Sequence, residues 1–225
     1  MSRPFNREKN KTRTLVLHSA TKLFIENGYT NTRIKDIAND SGVGYNEIFR
    51  MFTDKDNLLS NLVDLVIEHQ FEMSKNYLKS LSDDKLLLYV FENVLQLYIC
   101  ELNENIREMY AVSYTMPSTS HKIYEYVTKK IESVFKKYLP EYETKDFYEL
   151  EIATAGIMRG FIINPSNMYF TIDRKVNRFI KTILKIYEVP KDKIDEIIKT
   201  IEQYKMKDYA KEVISTLYEY ISTRT

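Results

Sequence analysis

Only five glycines and five prolines occur in 225 residues, and this scarcity constrains the fold more than any other feature. An all-β chain needs a tight turn about every ten residues, and such turns draw on Gly and Pro. Here the prolines after Pro4 are Pro117, Pro140, Pro165 and Pro190, and three glycines, Gly28, Gly42 and Gly44, fall in the first 44 residues. The segments between them carry apolar residues at helical spacing. Val16, Ala20, Leu23 and Phe24 share one face, and their helix is predicted to stop at Gly28, a residue suited to a left-handed cap. Later stripes include Ile123, Val127, Ile131, Val134 and Tyr138, then Val176, Phe179, Ile180, Ile183, Ile186 and Tyr187. Core packing is the expectation for all of them. The pattern predicts ten or eleven helices, no strand, and no repeat of the kind that builds a solenoid.

Composition removes several function classes. The single cysteine, Cys100, cannot form an intramolecular disulfide, and His18, His69 and His121 lie far apart, so neither structural zinc nor another cofactor is expected. The longest apolar run, Leu86 to Phe91, is far short of the ~20 residues of a membrane span, and the chain opens on a basic, polar run. A soluble, cytoplasmic protein with no membrane partner is expected. Lys plus Arg is 33 and Asp plus Glu is 32, yet the charge is unevenly spread: +6 over residues 1–35 and −2 over residues 58–225. A cationic head on a neutral body suits a polyanion, and an ordinary solvated arm explains the same charge equally well.

Residues 32–52 break the run of long helices. Two short helical stretches, Arg33–Asn39 and Tyr45–Met51, are separated by Asp40-Ser41-Gly42-Val43-Gly44. Ile34, Ile37 and Ala38 can pack on Val43, Ile48 and Phe52. Gly42 permits the positive φ of a tight interhelical turn, and Val43 plugs the corner. A small residue, a turn glycine four positions on and a hydrophobe after it form a helix-turn-helix skeleton. Its second helix is the one that enters the DNA major groove.

The run from Lys22 to Leu59 resembles the N-terminal DNA-binding domain of the TetR family of bacterial transcriptional regulators. The resemblance rests on Val16, Ala20, Leu23, Phe24, Glu26, Gly28 and Tyr29, then Asp36, Ile37, Ala38, Gly42, Val43, Ile48, Phe52, Lys55, Asp56, Leu58 and Leu59. It covers about residues 13–62. It implies an all-α fold: a three-helix helix-turn-helix DNA-binding domain over 1–55 and a larger helical ligand-binding and dimerisation domain over 56–225. The chain departs from the family pattern at five positions. Arg33 takes the usual Ser/Thr cap, Gly44 the Ser that starts the recognition helix, and Asn46 the small residue two positions later. Phe49 replaces a phosphate-contacting Tyr, and Met51 stands where His or Tyr is common.

The DNA-binding residues expected on this basis are Arg33, Gly44, Tyr45, Asn46, Glu47, Phe49, Arg50 and Lys55. Asn46 can bond adenine bidentately, and Tyr45 can meet a phosphate or a thymine methyl. Glu47 can accept from cytosine or stand as a solvated charge. Lys55, in the first turn of the next helix, is expected to hold a phosphate, with Thr53 or Asp54 capping that helix and Asp56 completing a capping box. Arg7, Lys9, Lys11 and Arg13 follow the DNA backbone, enter the minor groove, or remain a disordered arm.

The partners implied are double-stranded DNA with a palindromic operator, a second copy of the chain, and a small-molecule effector. Ala153, Gly156 and Gly160 share a face of a helix expected to be apolar nearly all round. With Phe179 and Ile183 they are the candidate homodimer interface. Tyr98, Met109, Tyr110, Tyr114, Met158, Phe161 and Tyr169, with Met116, Met168 and Phe170, are candidates for an aromatic ligand pocket, or for plain core and surface. Arg159 interrupts an apolar helix and suits an intersubunit ion pair or an acidic ligand. The segment Asn105–Thr115 is expected, by resemblance, to link sensor and head. The helices over 191–222 extend the interface or cover the sensor. The leading expectation is a repressor, not an enzyme, released from its operator by a small, largely apolar or aromatic ligand. A helical enzyme or a protein-interaction module with an incidental helix-turn-helix is the alternative.

Overall fold

The computed structural model describes residues 4–78 and 84–224, with side chains from residue 10 onward. The described residues form eleven helices and no strand. They are α1 (Pro4–Asn27), α2 (Ile34–Ser41), α3 (Tyr45–Phe52), α4 (Lys55–Leu78), α5 (Lys85–Cys100), α6 (Glu104–Ser113), α7 (Pro117–Phe135), α8 (Thr144–Ile163), α9 (Ile172–Ile186), α10 (Lys191–Ile201) and α11 (Met206–Arg224). None is long and apolar enough to cross a membrane.

Local chemistry sets many of the helix ends. Gly28 follows α1 at φ 84° and Gly42 follows α2 at φ 70°, both left-handed as the sequence predicts. Asp84 caps α5 by accepting from the N–H groups of Leu86 and Leu87, Asn103 caps α6 through Ile106, and Thr171 caps α9 through Arg174. Pro117 opens α7, where its missing N–H costs nothing.

The short helices α2 and α3 are held between α1 and the start of α4. Val16, Leu17, Ala20 and Phe24 of α1 meet Ile37, Val43, Ile48 and Phe52 in one buried cluster, which Leu58, Leu59 and Leu62 of α4 complete. The rest of α4 continues into a body in which α5 is central: its core residues are buried by α4, α7, α9 and α11. Lys175, buried at the start of α9, pairs with Glu101 and donates to the Asn164 carbonyl, which ties the α8–α9 connection to the end of α5. The last two helices cover this body: α10 packs on α9 and α5, and α11 on α5, α4 and α1. His69 of α4 donates from Nε2 to the Val213 carbonyl at 3.1 Å, and His18 of α1 to the Tyr218 carbonyl at 3.0 Å.

The tightest aromatic packing joins three helices. Phe135 of α7 lies parallel to Tyr187, with ring centroids 3.8 Å apart, and Tyr89 of α5 meets Phe135 edge-on at 5.0 Å. Phe135 is fully buried. Phe135→Ala is expected to lower the free energy of unfolding by about 3–5 kcal/mol, read as a lower midpoint in urea denaturation.

Candidate nucleic-acid interface and ligand cavity

Helix α3 is buried on one side only. Ile48 and Phe52 point inward, while Tyr45 and Phe49 are 49% and 39% exposed and Asn46, Glu47 and Arg50 are open to solvent. The Tyr45 and Phe49 rings touch, with centroids 4.8 Å apart, and form an aromatic ridge along the outer face. The Arg50 Nε donates to the Asn46 carbonyl at 3.3 Å. Gly44 caps α3 without a side chain and with an ordinary φ of −58°.

Arg33 is the N-cap residue of α2, but the capping comes from Asp36, whose carboxylate accepts the Arg33 N–H at 2.8 Å. The exposed Arg33 guanidinium is thereby left outside the cap. Arg33 and Lys35 flank an open concavity that Gly42, Val43, Gly44 and Tyr45 complete. Lys35 escaped the sequence reading, although its place two residues after Arg33 was the available signal.

Two expected phosphate contacts are placed differently. Lys55 donates to the carbonyls of Tyr29 (2.9 Å) and Thr32 (3.1 Å), and its ammonium sits 4.1 Å from the Tyr29 ring centroid. It fastens α4 to the α1–α2 loop. Arg13 donates to Asn61 at 2.7 Å and lies over the Phe52 ring, a clamp between α1 and α4. The backbone at Arg7 and Lys9 belongs to α1, and their side chains lie outside the described residues; Lys11 is exposed. The cap of α4 is Asp54, which accepts the Asn57 N–H at 2.7 Å, whereas Asp56 accepts the Tyr29 hydroxyl in place of closing a capping box.

Helix α6 touches the head on one side. Its Glu108 accepts the N–H groups of Tyr29 (3.0 Å) and Thr30 (3.1 Å) and the Thr30 hydroxyl. Its Asn105 donates to the carbonyls of Ile25 (3.0 Å) and Glu26 (2.9 Å), at the free end of α1. Gly28 is needed twice over: it has φ +84°, and a Cβ there would lie 2.5 Å from the Glu108 carboxylate.

The other side of α6 faces the interior. Met109, Tyr110, Ser113 and Tyr114 line a narrow cavity of about 20 Å³ with Leu62, Val66, Ile67, Gln96 and Ile123. The Tyr110 hydroxyl donates to Gln70 at 3.1 Å, and Gln96 donates to the Tyr114 hydroxyl at 2.9 Å. Ile67, Gln96, Tyr114 and Ile123 also border a second cavity of about 50 Å³. Phe71, Tyr89, Asn93, Val127, Ala155, Met158 and Phe179 complete its walls together with the charged residues Glu92, Lys130 and Glu151.

Four of the candidate pocket residues, Met109, Tyr110, Tyr114 and Met158, therefore border these cavities. Tyr98, Phe161 and Tyr169 do not. Tyr169 is 79% exposed in the α8–α9 connection, Phe161 packs on Phe170 and Phe179, and Tyr98 is half-buried against the core. Met116, Met168 and Phe170 are also absent from the walls. Arg159 donates to the Thr115 hydroxyl at 2.8 Å and stays outside the cavity.

The interface candidates divide in the same way. Ala153 and Gly156 are exposed and Gly160 half-exposed on the outer face of α8, beside the exposed Ile152 and Ile163. Contrary to expectation, α8 is apolar without being buried all round. Phe179 and Ile183 are 1% and 0% exposed and belong to the core. The outer face of α9 instead carries Arg174, Arg178, Lys181 and Lys185.

The Glu151 carboxyl is buried at the cavity wall, where the Thr154 hydroxyl donates to it, and Thr154 also bonds the Tyr187 hydroxyl at 3.1 Å. Tyr89 of α5, Tyr114 after α6 and Tyr187 after α9 are its titratable neighbours. Burial pushes its pKa from the usual 4.5 up to about 8. The folded chain thus holds a proton that the unfolded chain has lost, and Glu151 makes stability fall as pH rises between those two values. Glu151→Gln should flatten this part of the pH profile, measured as urea midpoints of both proteins from pH 5 to pH 8.5; parallel profiles would contradict the assignment.

No curated protein matches the chain significantly. Residues 16–62 match the family model described as bacterial regulatory proteins, tetR family, a stretch that runs from the α1 core through the exposed α3 to Leu62 of α4. The solvent-facing second helix and the match together identify residues 16–62 as a TetR-family helix-turn-helix DNA-binding domain.

Proposed function

We propose that this chain is a cytoplasmic, homodimeric repressor that binds a palindromic operator and leaves it when a small molecule fills the cavity beneath α6. The observation that carries the reading is the double role of α6. Asn105 and Glu108 grip the end of α1 and the loop after it, while Met109, Tyr110 and Ser113 on the same helix form a cavity wall. A ligand that displaces this wall moves the head. Its effect on DNA affinity equals its differential affinity for the two positions of α6. The ligand has an apolar or aromatic part, since Ile67, Phe71, Val127, Met158 and Phe179 provide apolar wall. The protein acts by binding alone. The buried cluster of the head includes Leu58, Leu59 and Leu62, so the head extends past residues 55 and 56 into the first turns of α4.

On DNA, Tyr45, Asn46, Glu47 and Phe49 of α3 meet base edges and thymine methyls, and Arg33, Lys35 and Arg50 meet phosphates. Lys55 acts indirectly, by fixing α4 against the loop that carries Arg33. One short helix reads too few base pairs, so two heads are required. The outer face of α8 supports the pairing: Cβ atoms built on Gly156 and Gly160 meet nothing within 4 Å, which leaves room for a close helix.

If the dimer neutralises about eight phosphates, log K should fall with log salt at a slope of about −7. Arg33→Ala should weaken binding to every duplex alike, and Asn46→Ala should change the preferred sequence, both read by selection from a random duplex pool. Gly156→Glu places a charge on the open face of α8 without disturbing the subunit core. It should give a folded monomer in analytical ultracentrifugation, with operator affinity lowered by a factor of ten or more, on the order of the loss of one half-site.

A further inference from the structure

The larger cavity holds a buried carboxylate oxygen without a partner. Glu92 of α5 is 1% exposed. One of its carboxylate oxygens pairs with Lys130 of α7, and the other, Oε1, has no hydrogen-bond partner. Glu151 of α8, also buried, lines the same cavity and accepts from the Thr154 hydroxyl. Two buried carboxyl groups thus border the cavity with the Lys130 ammonium; Glu151 holds its proton, and Lys75 adds a further positive charge near Glu92. A buried, unpartnered carboxylate oxygen costs free energy that the folded chain retains unless something binds there.

From this arrangement, which rests on the sensor reading above, we infer that the cavity between α4, α5, α7 and α8 receives the cationic head of an organic amine, held by Glu92 and Glu151. The sign of the charge selects the ligand class. An anion would meet two carboxyl groups and a lysine already engaged by Glu92. A neutral apolar molecule would leave Glu92 Oε1 unpaired. An ammonium donates to it in a charge-assisted hydrogen bond and favours the ionised forms of both carboxyl groups.

Three further features fit. The Lys130 ammonium lies 3.7 Å from the centroid of Phe71, which stacks on Tyr126, so an aromatic surface that accepts a cation already borders the site. A surface groove between α4 and α7 shares Ile67 and Ile123 with the cavity. It is lined by Asp64, Glu68 and Glu125 against the single Lys122, an approach that attracts cations. The cavity of about 50 Å³ has room for roughly three waters, which suits an ammonium head while the apolar body extends toward this groove. Burial also raises the Glu92 pKa against the opposing pull of Lys130, and a bound cation would restore its ionised form.

The test uses the full chain and two probes of equal length, hexylammonium and hexanol, titrated by calorimetry. Hexylammonium should bind at least about tenfold more tightly than hexanol, and Glu92→Gln should remove most of that preference. Glu125→Gln, an exposed change in the groove that leaves the core untouched, should weaken hexylammonium a few-fold. Equal affinities in the unmodified chain, no hexylammonium binding at millimolar concentration, or a preference untouched by Glu92→Gln would overturn the inference. A second arm follows a duplex selected from a random pool by fluorescence anisotropy. Release of that duplex by hexanol as readily as by hexylammonium would keep the sensor reading and sink the cation. Glu92-dependent binding of hexylammonium that leaves duplex affinity unchanged would keep the cation and sink the sensor.

Discussion

The contact between Glu108 and the loop after α1 is the joint on which the rest of the molecule depends. A carboxylate accepts two adjacent backbone N–H groups and a hydroxyl at the end of a helix, and the glycine beside it has no Cβ to obstruct the approach. Hydrogen bonds to an ionised acceptor are stronger and more directional than neutral ones. Asn105 adds two donors to the last free carbonyls of α1. The end of α1 and the loop after it are therefore tied to α6, whose opposite side is cavity wall. Lys55 and Tyr29 secure the same loop from α4, so the position of α2 and α3 is set from two directions.

The second organising feature is charge held away from water. Glu92, Lys130 and Glu151 border one small chamber and Lys175 is sealed at the start of α9, in a body otherwise packed with aliphatic and aromatic side chains. Replacing such groups with apolar ones is often neutral or favourable for stability, so their presence needs another account. For Lys175 the account is positional, because it joins the end of α5, the end of α8 and the start of α9. For the chamber, where one oxygen of the group is left without a partner, the account we propose is a ligand.

The C-terminal pair α10 and α11 resolves a choice that the sequence left open. These helices cover α9, α5, α4 and α1, so they belong to the subunit's own core. Through His18, α11 also touches the first helix of the DNA head: Nε2 bonds the Tyr218 carbonyl and the Ser222 hydroxyl, and the imidazole meets the Tyr218 ring edge-on. The outer face of α8, with its small residues, is left as an open apolar surface.

Local rules made the DNA head legible in the sequence. Apolar spacing identified Val16, Ala20, Phe24, Ile37, Ile48 and Phe52 as inward, and Gly28 and Gly42 as left-handed positions, because period and backbone freedom are properties of a few neighbouring residues. Periodicity says that a face is apolar but not which neighbour it meets, and so Phe179 and Ile183 were assigned to a partner when they belong to the core. Charged residues were harder still. Glu92 breaks an apolar helix, a signal in the sequence for a buried charge, whereas Glu108 and Glu151 look like ordinary solvated charges there, and Arg13 and Lys55 like DNA contacts. The amino-acid order alone determined the helices, their ends and the helix-turn-helix. Only the tertiary structure decided which charges are buried, what α6 holds on each side and where the cavities lie, because these depend on contacts between residues dozens of positions apart.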